Sequence, residues 1–109
     1  MRFRCERDVL AESLATAQRA VTNRNAALPV LAGVRLELSG DALRVTGTDL
    51  DLFAQVEIPV VGASDGVAVV PARLAADIVR NLEVGVVTVE GADDELRISS
   101  GRATFSVRT

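Results

Sequence analysis

The chain has 109 residues, 49% of them apolar and 25% charged, which is the composition of one globular domain rather than of a disordered segment. With no histidine and one cysteine, Cys5, it lacks the commonest general base and cannot form an intrachain disulfide or a thiolate zinc site. The formal net charge of −3 argues against a generally basic nucleic-acid binder, although all twelve cations are arginines, the side chain best suited to phosphate.

In chain order, Met1 to Cys5 predict a short strand, and Val9 to Val21 a helix. Leu10, Leu14, Ala17 and Val21 fall on one face of that helix, with Asp8 and Glu12 near its start and Arg19 near its end. A polar loop follows from Asn23 to Ala27. Val34, Leu36 and Leu38 alternate with Arg35 and Glu37 in a half-buried strand. Ser39-Gly40-Asp41 marks a turn, Leu43 and Val45 belong to the next strand, and Gly47-Thr48-Asp49 marks a second turn. Leu52 to Val60 read as a third strand, and Gly62 to Gly66 as a turn-rich connection.

The order then recurs. Val67 to Val70 predict a strand, and Pro71 pre-sets a helix over Ala72 to Leu82 whose stripe is Leu74, Ile78 and Leu82. Val84 to Glu90, Leu96 to Ser99 and Ala103 to Val107 predict three strands, with a turn over Gly91 to Asp94. Gly40-Asp41-Ala42-Leu43-Arg44-Val45 is echoed by Asp94-Glu95-Leu96-Arg97-Ile98. The expectation is one α+β domain over 1–109, made of a duplicated β-α-β-β-β unit (about 1–61 and 66–109), with both helices on one side.

Chemistry is sparse. Cys5 in an alternating apolar strand reads as an inert thiol. Asp49 and Asp51 lack partner ligands, so a turn and strand edge is preferred to a metal site. The glycines of 62–66 lack the lysine and hydroxyl of a phosphate-binding loop. Asp93-Asp94-Glu95 reads as a solvated hairpin tip. No enzyme activity, metal or cofactor is expected. No stretch has the roughly 18 consecutive apolar residues of a membrane span, and neither that nor a signal-peptide pattern disturbs the expectation of a cytoplasmic protein.

Five segments in one order carry a resemblance: Met1-Arg2-Phe3 with Glu6-Arg7; Arg24 followed by Leu28-Pro29-Val30-Leu31; Thr46-Gly47-Thr48-Asp49-Leu50; Val70-Pro71-Ala72-Arg73 continuing to Asp77-Ile78-Val79-Arg80; and Ser100-Gly101-Arg102 with Phe105-Ser106-Val107. Together they resemble the N-terminal domain of the bacterial sliding clamps, the β subunits of DNA polymerase III. The resemblance implies the first of three domains in a chain that closes head-to-tail with a second copy into a ring around duplex DNA. Helices would line the hole and antiparallel sheets form the outer wall. It also implies a non-catalytic, nucleoid-associated processivity factor that binds DNA without sequence preference. Polymerase and clamp loader would be engaged through later domains.

Carried over by residue, Arg24 and Arg73 match DNA-facing positions, with Arg19 and Arg80 nearby on the helices. Arg73 also stands at a helix N-terminus, which favours phosphate; its plainer partner would be Asp77, four residues on. Phe105, Val107, Ile78 and Leu82, with Arg102 at the rim, would form the joint to the partner chain; otherwise these apolar residues fill the domain's own core. Leu74 and Thr104 depart from the family pattern, in which basic residues are common there. The alternative reading is a small α+β protein-interaction module unrelated to replication.

Overall fold

The computed structural model describes residues 1–21, 33–48 and 52–109. Nine strands and two helices are assigned among them. In order they are β1 (Arg2–Glu6), α1 (Arg7–Gln18), β2 (Gly33–Ser39), β3 (Ala42–Thr48), β4 (Phe53–Pro59), β5 (Val61–Ser64), β6 (Gly66–Pro71), α2 (Ala72–Arg80), β7 (Val86–Ala92), β8 (Glu95–Ser100) and β9 (Ala103–Arg108). The class is α+β, with two wholly antiparallel sheets ordered β5-β1-β7-β8-β9 and β4-β3-β2-β6.

The sheets interlock the two parts of the chain. β1 leaves its own neighbours to pair with β7, and β6 pairs with β2. Neither sheet can be completed by residues 1–61 or by residues 66–109 alone. Alternation explains the faces. Val34, Leu36 and Leu38 on β2 and Leu43 and Val45 on β3 are buried, while Arg35 and Arg44 between them are exposed. Phe3, Val87, Val89, Leu96, Ile98 and Val107 make the matching inner face of the five-stranded sheet.

Both helices cover those inner faces and pack on one another. α1 buries Leu10, Leu14 and Ala17 as its spacing predicts. α2 departs from expectation. Its inward stripe is Ala72, Ala75, Ala76 and Val79, while Leu74 is 48% exposed and Ile78 only partly buried. Small alanines let α2 sit close against its neighbours, which leaves the longer Leu74 outside the seam. The helix ends at Arg80, so Leu82 is buried from the turn that follows it.

A second correction concerns residues 61–64. They form β5, paired with β1, rather than part of a turn-rich connection. Asp41 fastens the crossing from one sheet to the other. Its carbonyl accepts the Val60 N–H at 2.9 Å, and its carboxylate Oδ1 accepts the Gly62 N–H at 2.9 Å. Gly47 has a comparable tertiary reason. A Cβ there would overlap the Ala17 carbonyl oxygen, because β3 runs directly beneath the last turn of α1.

Candidate functional site

α1 begins immediately after β1, and Arg7 at its first position ties it to the end of α2. The Arg7 Nη1–H donates to the Arg80 carbonyl at 2.9 Å, Nη2 lies 3.0 Å from Asp8 Oδ1, and the Arg7 backbone N–H donates to the Gly85 carbonyl at 2.8 Å. A guanidinium on the terminal carbonyls of a helix complements its dipole. The start of α1 therefore lies beside the end of α2. Packed in this way the helices run antiparallel, which brings the end of α1 and the start of α2 to the opposite end of the pair.

That arrangement sorts the four predicted DNA-facing arginines. Arg19, at the C-cap of α1, and Arg73, in the first turn of α2, are both exposed and stand at the same end. Neither has a carboxylate partner among the described residues. The Arg73–Asp77 pair suggested by sequence does not form; Asp77 Oδ1 instead accepts from Arg80 Nη2 at 2.6 Å. Arg80 lies at the other end, with part of its charge offset. Arg24, Asp49 and Asp51 lie outside the described residues.

The outer faces of the sheets treat charge differently. Arg2 pairs with Glu90, Arg35 with Glu37, Arg44 with Glu37 and Glu57, and Arg97 with Glu95. These are exposed pairs worth little to stability, but they cancel most of the positive charge on that side. Arg4 and Arg108 are the two sheet arginines there without a carboxylate partner among the described residues.

The five predicted joint residues divide. Val107 is 2% exposed: it faces Leu96 across the β8–β9 ladder and belongs to this domain's core, as does Leu82. Phe105 points to the same face of β9, opposite Ile98, yet is 43% exposed because neither helix covers that part of the edge. Phe105, Leu82 and Arg102 line one open depression of about 790 Å³, with Asn81, Glu83 and Ser100. Ile78 is on α2 and partly buried against the core. Sequence reading put Leu74 on the inward stripe of α2, where it is exposed, and missed the exposed Leu52 and Phe53 at the start of β4, an edge strand of the four-stranded sheet. Two adjacent large apolar residues at the head of an edge strand were the available signal.

No group of three or more acidic, cysteine or histidine side chains among the described residues could hold a metal ion. No described helix is long and apolar enough to cross a membrane. Burial, aided by the charge of neighbouring Glu6, pushes the Cys5 thiol up to about 11, so it stays protonated and poorly nucleophilic at neutral pH.

Residues 1–109 match the family model of the DNA polymerase III beta subunit, N-terminal domain. The chain belongs to that family. It is 33% identical over 116 aligned positions to the beta sliding clamp of Caulobacter vibrioides, covering 98% of this chain and 29% of that protein. It is 34% identical over 109 positions to the beta sliding clamp of Streptomyces coelicolor, covering 100% of this chain and 29% of the relative. The fold agrees. Against the solved Caulobacter crescentus pol III beta the TM-score is 0.93 at 32% identity, over 99% of this chain and 29% of that one. The chain thus spans about 29% of the length of these relatives.

Proposed function

We propose that this chain is the first domain of a sliding clamp, a non-catalytic replication factor that closes around duplex DNA and tethers the replicative polymerase. In this reading residues 1–109 are one domain built on an internal repeat, about 1–61 and 66–109. Two copies of the longer chain form the ring, and polymerase and clamp loader are engaged by later domains. The alternative, an interaction module unrelated to replication, has no observation in its favour.

The observation that carries the reading is the pair of arginines, Arg19 and Arg73, at one end of the packed helices and without a carboxylate partner among the described residues, on a family fold whose sheet faces hold mostly neutralised charge. Arg24 joins them in the proposal as the first family-matched arginine, and Arg80 as a weaker contributor because Asp77 already engages it. Mobile, salt-sensitive contacts to phosphate carry no sequence information and let a ring slide. The acidic balance of the whole domain discourages DNA from binding elsewhere. The joint is proposed at Phe105 with Arg102 and Ile78, next to Leu74; Val107 and Leu82 support it from beneath.

The test compares charge removal on the two sides of the longer protein, using fluorescent duplex DNA in a salt titration. Arg19→Gln with Arg73→Gln should weaken binding and flatten the dependence of log K on log salt by roughly 1 to 2 for each chain. Arg35→Gln with Arg44→Gln should leave both unchanged. Equal effects from the two pairs would mean that the helices are not the DNA-facing side.

A further inference from the structure

The two crossings of this fold are built alike, and among the described residues the first of them runs on into a strand. After β4 the Val60 N–H donates to the Asp41 carbonyl at 2.9 Å, and the next residues, Val61–Ser64, lie along the outer edge of β1 as β5. After β9 the Thr109 N–H donates to the Asp94 carbonyl at 2.9 Å. Asp41 and Asp94 occupy matching places, each just before the second strand of its hairpin. The residue ahead of each is left-handed, Gly40 with φ 61° and Asp93 with φ 49°. The backbone therefore leaves β9 by the route that leads from β4 into β5.

Following the same route, that backbone reaches β6. β6 pairs with β2 as β1 pairs with β7, and among the described residues no strand lies beyond it. Its outer face carries Val67, 53% exposed, and Val69, 44% exposed. Their register equivalents on β1 are Arg2 and Arg4, which β5 flanks. An edge strand with open backbone groups and paired apolar side chains is an acceptor for an added strand.

We propose that the backbone following Thr109 in the longer protein adds to β6 as a short antiparallel strand and completes a second five-stranded sheet. By the β5 register, the first residue after Thr109 stands opposite Val69, the second opposite Ala68 and the fourth opposite Val67. The exit from the domain is then a fixed strand rather than a free linker, so the direction in which the next domain is held is set by this domain's own sheet. This rests on the reading of the chain as the first domain of a longer clamp.

Hydrogen exchange on the longer wild-type protein, read over Gly66–Pro71, tests it. The expected result is loss of the fast-exchanging class: alternate amides of β6, on the side away from β2, exchange as slowly as those of β1. Replacing the four residues after Thr109 by glycine should restore fast exchange at β6 and leave β1 unchanged. Fast exchange in the wild type, or protection that survives the glycine replacement, would overturn the proposal. Molecular mass of the same samples reports ring formation separately. A dimer with an unprotected β6 refutes the strand while sparing the clamp reading; a monomer with a protected β6 does the reverse.

Discussion

Replacing Phe105 by alanine removes the largest exposed side chain on the β9 edge, and its consequence for ring closure can be worked from its geometry. A phenylalanine buries 150–250 Å² when fully covered, so the 43% still exposed in the isolated domain leaves roughly 85 Å² for a neighbouring chain. At about 25 cal/mol per Å² that is ~2 kcal/mol for each joint. A ring of two chains has two joints, so dissociation to single chains should become easier by ~4 kcal/mol, about a thousandfold in the dissociation constant. The assay is dilution of the longer protein with mass read at each concentration, for wild type and Phe105→Ala, with circular-dichroism melts to show that the fold persists. An unchanged dissociation constant with an intact fold would place Phe105 in the service of its own sheet and refute the joint.

Three further outcomes are expected. The 109-residue chain on its own should bind duplex DNA weakly, without sequence preference, and with an affinity that falls steeply as salt rises, because the proposed DNA-facing arginines are few and one domain alone closes no ring; tight or salt-insensitive binding by fluorescence anisotropy would contradict this. Gly47→Ala should destabilise the domain by about 1–3 kcal/mol in urea unfolding, since its Cβ must displace β3 from the Ala17 carbonyl; an unchanged midpoint would show that the last turn of α1 yields freely. Cys5 should react with thiol reagents only slowly until pH approaches 11. The linkage has a definite sign: the folded thiol titrates above its unfolded value of 9.0, so its stabilising contribution is complete below that value and is lost as pH rises towards 11. Rapid alkylation of the folded chain at pH 8 would contradict the partly buried placement of the thiol against the core.

Where a side chain's fate depends on its own strand or helix, the sequence was readable. Val34, Leu36 and Leu38 alternate with charged residues, and their burial follows from the period of two; Leu10, Leu14 and Ala17 follow from the period of an α-helix. What escaped was tertiary. The Val61–Ser64 segment contains a glycine and few strong strand formers, and it is a strand only because β1 offers it an edge. On α2 the larger residues suggested a Leu74–Ile78–Leu82 stripe, but the close approach of the helices selected alanines for the seam. Val107 and Phe105 share a face of β9 and differ only in what covers them, a distinction no alternation pattern contains. Likewise Arg19 and Arg73 are 54 positions apart, and only the antiparallel packing implied by the Arg7–Arg80 hydrogen bond places them at one end.

The central claim is topological: DNA passes through a ring and is not gripped by it. The direct measurement loads the longer protein onto circular duplex DNA with its clamp loader, raises the salt until phosphate contacts are screened, and follows the bound fraction before and after one cut linearises the circle. Retention on the closed circle at high salt, followed by loss from the free ends once it is cut, is the predicted result. Release from the uncut circle as salt rises, or equal retention on linear DNA, would contradict the claim.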